Sequence, residues 1–151
     1  MRWKILLGLT LVFAGLQFVR PARNQGVIEG PNFIGAQHPL PAGVRPLLQR
    51  ACFDCHSNHT TYPWYTEVQP VGWWLAWHVR EARQHLNFSE FGSYSAKRQT
   101  RVLDGIVDEI TGRHMPLPSY TWAHRDAVLT PAEIKLLSDW ADNLREEIAG
   151  N

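Results

Sequence analysis

Residues 52–56 read Cys52-Phe53-Asp54-Cys55-His56. Two thiols three positions apart lie on one side of a single turn, within reach of the two vinyl groups on one edge of a haem. The histidine that follows is placed to turn its imidazole to the iron. Each residue type in the C-x-x-C-H pattern therefore has its own task. Two other chemistries use a cysteine pair. Zinc wants four ligands, and the sequence has no second pair to supply them; His59, His78 or His124 would have to complete an odd site. A thioredoxin-like redox pair follows a strand and opens a helix, whereas this pair follows a helical stretch. The motif predicts one covalently held haem c on Cys52 and Cys55, with His56 as one axial ligand.

A low-spin electron carrier needs a second axial ligand. The chain has two methionines, and one is Met1. Met115 is the sulfur candidate. It follows a helical pattern that stops at Gly112, and it precedes Pro116-Leu117-Pro118, a loop stiffened by prolines. His114, next door, and His78, on an apolar stripe, are the rivals. Bis-histidine ligation would lower the reduction potential relative to His/Met. His38, His59, His85 and His124 read as structural or surface residues, although His124 is placed to brace the Met115 loop. The aromatic residues Tyr62, Trp64, Tyr65, Trp73, Trp74 and Trp77 are expected to wall the haem. The Asn-x-Ser/Thr sequons at Asn58 and Asn87 carry no weight.

Outward from the motif the periodicity is helical throughout, which predicts an all-α fold. Val44, Leu47, Leu48 and Ala51 recur at helical spacing into the cysteines, and Pro46 fits if it lies in the first turn. Residues 70–86 stack Val71, Trp74, Leu75, His78 and Ala82 along one stripe. Residues 96–111 carry Val102, Leu103, Ile106, Val107 and Ile110 before the Gly112 stop. The last helix begins with Thr130 as N-cap, Pro131 in its first turn and Glu133 closing a capping box. No alternating stretch is long enough for a strand, and there is no internal repeat.

The N-terminus divides into two further segments. Arg2 and Lys4 precede an apolar run over residues 5–19, closed by Arg20. This is the pattern of a secretory signal or an uncleaved signal-anchor, so residues 1–23 are expected to serve as a signal peptide or membrane helix. Fifteen helical residues span about 22 Å against a bilayer core of about 30 Å. Trp3 and snorkelling by Lys4 and Arg20 are expected to make up much of the difference. Either alternative places the rest of the chain in the periplasm or an equivalent compartment. Residues 24–40, rich in Gly, Pro, Asn and Gln, read as a linker, and residues 41–151 as the haem-binding domain.

Composition sets outer bounds. The 151 residues suit one compact domain, and a formal net charge of +1 argues against a nucleic-acid binder. With only two cysteines there is no disulfide framework.

The helix into C-x-x-C-H, the later helix, the Met-Pro loop and the capped terminal helix resemble a class I cytochrome c. More closely, the chain resembles the bacterial haem-binding-domain family of exported, cytochrome-c-like proteins. The resemblance lies in residues 52–58 (CFDCHSN), Tyr62-Pro63-Trp64-Tyr65, Pro70-Val71-Gly72-Trp73, Asn87-Phe88-Ser89, Met115-Pro116, Tyr120, His124 and residues 129–140. Arg20-Pro21-Ala22-Arg23-Asn24 resembles that family's anchored forms. It implies thioether links at Cys52 and Cys55, proximal ligation by His56 and distal ligation by Met115. The long insertion between His56 and Met115 departs from a minimal class I cytochrome and leaves room for an extra helix. The expected function is membrane-tethered electron transfer with redox partner proteins, since no nucleophile–base constellation points to catalysis. The alternative is a haem-based enzyme or a gas or redox sensor with a displaceable distal ligand.

Overall fold

The computed structural model describes residues 1–150, and it is all-helical, with no strand among them. The helices are α1 (Arg2–Leu16), α2 (Ile34–Gln37), α3 (Val44–Ala51), α4 (Phe53–His56), α5 (Val71–His85), α6 (Ala96–Thr111), α7 (Pro118–Ala123) and α8 (Pro131–Gly150). Pro46 lies in the first turn of α3, where its missing N–H costs nothing. Gly112 ends α6 as expected, but in a right-handed conformation. The left-handed residue is Arg113, at φ 60°. A Cβ at Gly112 would stand 3.0 Å from the Asp108 carbonyl oxygen and 2.9 Å from the exposed His114 ring, so the site is tight.

The core forms where α3, α6 and α8 present their apolar stripes to one another. Val44, Leu47, Leu48 and Ala51 of α3 are buried with Leu103 and Ile110 of α6 and with Leu137, Trp140, Ala141, Leu144 and Ile148 of α8. Thr130 and Glu133 close the predicted capping box. The Thr130 amide donates to Glu133 Oε2 (2.8 Å), and the Glu133 amide donates to Thr130 Oγ1 (3.3 Å).

Two expectations change. Residues 24–40, read as a linker, belong to the folded domain. Phe33 and Ile34 are buried, Gly92 N–H donates to the Asn32 carbonyl, and Ile34 N–H donates to the Phe88 carbonyl (2.9 Å). Composition misled here because isolated Phe and Ile among Gly and Pro show no period, yet each plugs a gap in a core built by other elements.

The second change concerns α1. It is apolar on every side and exposed along its length. No helix of the described residues is long and apolar enough to cross a membrane. The expected transmembrane helix is corrected to a short apolar one, because the regular turns stop at Leu16, before the apolar run does. Its end is fixed to the domain: Gln69 N–H donates to Gln17 Oε1 (2.8 Å), and the Trp73 indole N–H donates to the Val19 carbonyl (2.7 Å).

Candidate functional site

The five residues of the motif form a single turn at the junction of α3 and α4. Cys52 ends α3 and opens α4. Its carbonyl accepts from the amides of Cys55 (3.2 Å) and His56 (2.9 Å), which gathers the three side chains on one loop of backbone. The two intervening residues hold the turn in place. Phe53 is buried between Phe33 (ring centroids 6.0 Å apart) and Phe88 (5.4 Å). Asp54 Oδ1 accepts from the Thr61 amide (3.1 Å), and Asp54 Oδ2 accepts from the Tyr120 hydroxyl (2.8 Å). One motif residue is thus anchored in the core, and another ties the turn to α7.

His56 has a defined tautomer. Its Nδ1 lies 3.0 Å from the Leu86 carbonyl. A carbonyl only accepts, so Nδ1 carries the proton and the Nε2 lone pair is free for a metal. Burial pulls the His56 pKa below its ordinary value, which keeps the ring neutral. Burial also pushes the Cys52 thiol up to about 12 and the Cys55 thiol up to about 11; each is raised further by a neighbour, Cys55 and Asp54 respectively. Both sulfurs therefore carry protons at neutral pH and are free of any disulfide.

The backbone beyond His56 is fastened by buried polar groups. Phe88 N–H donates to the His56 carbonyl (2.8 Å). Asn58 Oδ1 accepts from Asn87 Nδ2 (2.8 Å) and Arg83 Nη2 (2.7 Å), and Asn58 N–H donates to Ser89 Oγ (3.0 Å). Both sequon asparagines use their side-chain amides inside this network, Asn58 Nδ2 donating to Glu90 Oε1 (2.7 Å) and Asn87 Nδ2 to Asn58 Oδ1.

The remaining candidates are placed differently. Met115 is half-buried and packs, like Cys52, against the main core. The α7 helix that follows it is joined to the motif by Tyr120. His114 is exposed at the end of α6, with Nδ1 3.7 Å from Glu109, and is not gathered to the motif. His78 sits on α5 between Trp74 and Trp77 (ring centroids 4.1 and 4.7 Å), its Nδ1 donating to the Trp74 carbonyl (2.9 Å). His124 stacks on Tyr120 at 4.2 Å and donates to its carbonyl (3.1 Å), so it braces α7 rather than Met115 itself. His59 and His85 are exposed. His38 packs edge-on to Phe91.

The aromatic wall is divided. Tyr62, Trp73 and Trp77 line a cleft beside Pro21 and Arg23. Trp74 belongs instead to the row Val71, Trp74, Leu75, His78 and Ala82. This row was read as one apolar stripe, and α5 buries only Gly72 and Val79. The row remains partly open, with Trp74 46% exposed. It ends at Ala82, one turn before Leu86, whose carbonyl meets the His56 ring. A partly uncovered apolar row therefore runs along the helix that ends beside the motif histidine.

Among known proteins, the family model for the haem-binding domain matches residues 11–143. No curated protein and no solved structure matches the chain.

Proposed function

The chain belongs to the haem-binding-domain family, and from that premise we propose that it is a monohaem c-type cytochrome carrying single electrons outside the cytoplasm. The observation that carries this reading is the motif turn. Two protonated thiols and a neutral imidazole with a free Nε2 stand on one loop, beside a partly open apolar row.

These residues fit a haem. Cys52 and Cys55 would hold it by thioethers, and His56 Nε2 would be one axial ligand. The Leu86 carbonyl keeps that ring from turning and raises its basicity. Met115 would supply the other ligand from a segment that Tyr120 fastens to the motif. Val71, Trp74 and Leu75 would cover the face and exclude water. When bound, haem supplies an iron that exchanges one electron at a time. Were His56 and Met115 both to hold the iron, no iron position would be left for substrate, which favours electron transfer over catalysis. The compartment is read from Arg2 and Lys4 ahead of apolar α1, the pattern of an export signal.

The test is expression of the full chain alongside a cytochrome c maturation system. A pyridine haemochrome spectrum and an intact mass should show one haem per chain with neither thiol open to alkylation. A colourless, exported protein with both thiols reactive would overturn the proposal. Met115→Ala should abolish the iron–thioether charge-transfer band of the oxidised protein. If the band persists, Met115 is not the ligand. Binding of carbon monoxide by the reduced wild type at neutral pH would favour the sensor or enzyme alternative.

A further inference from the structure

Helix α5 has a second face, turned away from the His56 row. Trp73, Ala76, Trp77, Arg80 and Arg83 recur along it at helical spacing. Against it runs the strap of residues 21–24, which leaves the end of α1. Strap, helix and Tyr62 enclose a cleft of about 430 Å³. The haem site proposed around His56, Met115, Val71, Trp74 and Leu75 leaves this cleft unused.

Its charge is unbalanced. Arg23, Arg80 and Arg83 line it. Glu67 is shared by Arg20 and Arg23. Arg80 has only the exposed Glu81 contact at 3.6 Å. Arg83 has no carboxylate partner: its Nη2 donates to the neutral Asn58 amide, which in turn donates to Glu90 Oε1, and its buried Nε has no hydrogen-bond partner. Four guanidiniums thus meet two carboxylates around the cleft. Planar guanidiniums with spare donors match a phosphate.

The position identifies the source of that phosphate. The strap follows the exposed apolar α1 after residues 17–20, and the Trp73–Val19 hydrogen bond pins the cleft to that connection. Trp77, half exposed, stands at the cleft with its indole, a side chain suited to the headgroup region. We propose that the cleft between residues 21–24 and α5 binds the phosphate headgroup of an acidic phospholipid, seating the domain on the membrane beside α1. This takes the exposed apolar α1, too short to span a bilayer, to lie in the membrane surface, and it is independent of how haem is held.

The full-length holoprotein is placed in nanodiscs or detergent, and bound lipid is counted by native mass spectrometry. Phosphatidylglycerol, phosphatidylcholine and inorganic phosphate are compared as ligands. Phosphatidylglycerol should be retained in preference to phosphatidylcholine. The preference should fall roughly fivefold for each arginine removed, in Arg80→Gln and in Arg80→Gln/Arg83→Gln. Arg80 is exposed, so its single variant keeps the test alive should the double variant misfold. Equal retention of the two lipids, or an unchanged preference in Arg80→Gln, overturns the proposal. Inorganic phosphate competing as well as the lipid would make this a free-anion site and overturn the lipid assignment. Association with phosphatidylcholine nanodiscs reports on α1 alone, and the haemochrome reports on the haem site, so the three failures are distinguishable.

Discussion

Tyr120 shows how one hydroxyl can join two parts of a site that lie far apart in sequence. It donates to Asp54 Oδ2 inside the motif, and its ring stacks on His124. Burial, with the Asp54 carboxylate beside it, pushes the phenol pKa well above its ordinary value, so Tyr120 remains a donor at any working pH. Removing this bond leaves a half-buried carboxylate short of one donor. Tyr120→Phe is expected to cost about 1–2 kcal/mol of stability, measured by denaturant unfolding. In the holoprotein it should also weaken the iron–thioether band by loosening the segment that carries Met115. Trp122→Ala is the control, because Trp122 lies on the same helix and is 77% exposed. Its expected change is within about 0.5 kcal/mol. The cysteines and His56 were legible in the sequence because their spacing encodes a local turn. The Asp54–Tyr120 bond was not, because it joins residues 66 positions apart and nothing local marks either as the other's partner.

Among the elements, the ones read best from the sequence carry their own signals. Helix α3 and helix α6 have the predicted bounds, and α8 starts at Pro131 behind its capping box, because stripe and cap are both local. Helix α7 was missed; six residues that begin at Pro118 and stop before His124 give no period. The α5 stripe was seen but its partner was not, since an apolar row does not say whether protein or another group will cover it. The capping box makes a pH prediction. Hydrogen bonds from the Thr130 amide and hydroxyl, aided by Arg50, hold the Glu133 carboxyl below its ordinary range. A depressed folded-state pKa gives stability that is present above the unfolded carboxyl range and lost as pH falls through the folded value. Glu133→Gln should therefore be less stable than wild type at pH 7, and the gap should close in acid. Thermal unfolding of both proteins from pH 7 to pH 3 measures this. A gap that is constant with pH would assign the effect to the box geometry alone.

At the scale of the molecule, α5 acts as a partition. One face carries the row that ends at Ala82, and the other closes the arginine-lined cleft against the strap. The segment after α1 is consequently part of the folded structure, and residues 24–40 test this most directly. If they were a linker, substitutions along them would be silent. Instead Ile34 is fully buried and Phe33 packs edge-on to Phe53 of the motif, while Val27 in the same segment is 72% exposed. Ile34→Ala is expected to cost about 2–5 kcal/mol and Phe33→Ala about 3–5 kcal/mol, the values for opening a cavity in a packed core. Val27→Ala should stay within about 0.5 kcal/mol. Urea unfolding of the three variants separates the readings, since a linker predicts three flat results and a core segment predicts two large losses and one flat result. Phe33→Ala should further lower the yield of haem attachment, because it removes the ring against which Phe53 holds the cysteine turn. Measured as haem per folded chain, that loss should exceed the loss in Ile34→Ala, which touches the core but not the turn.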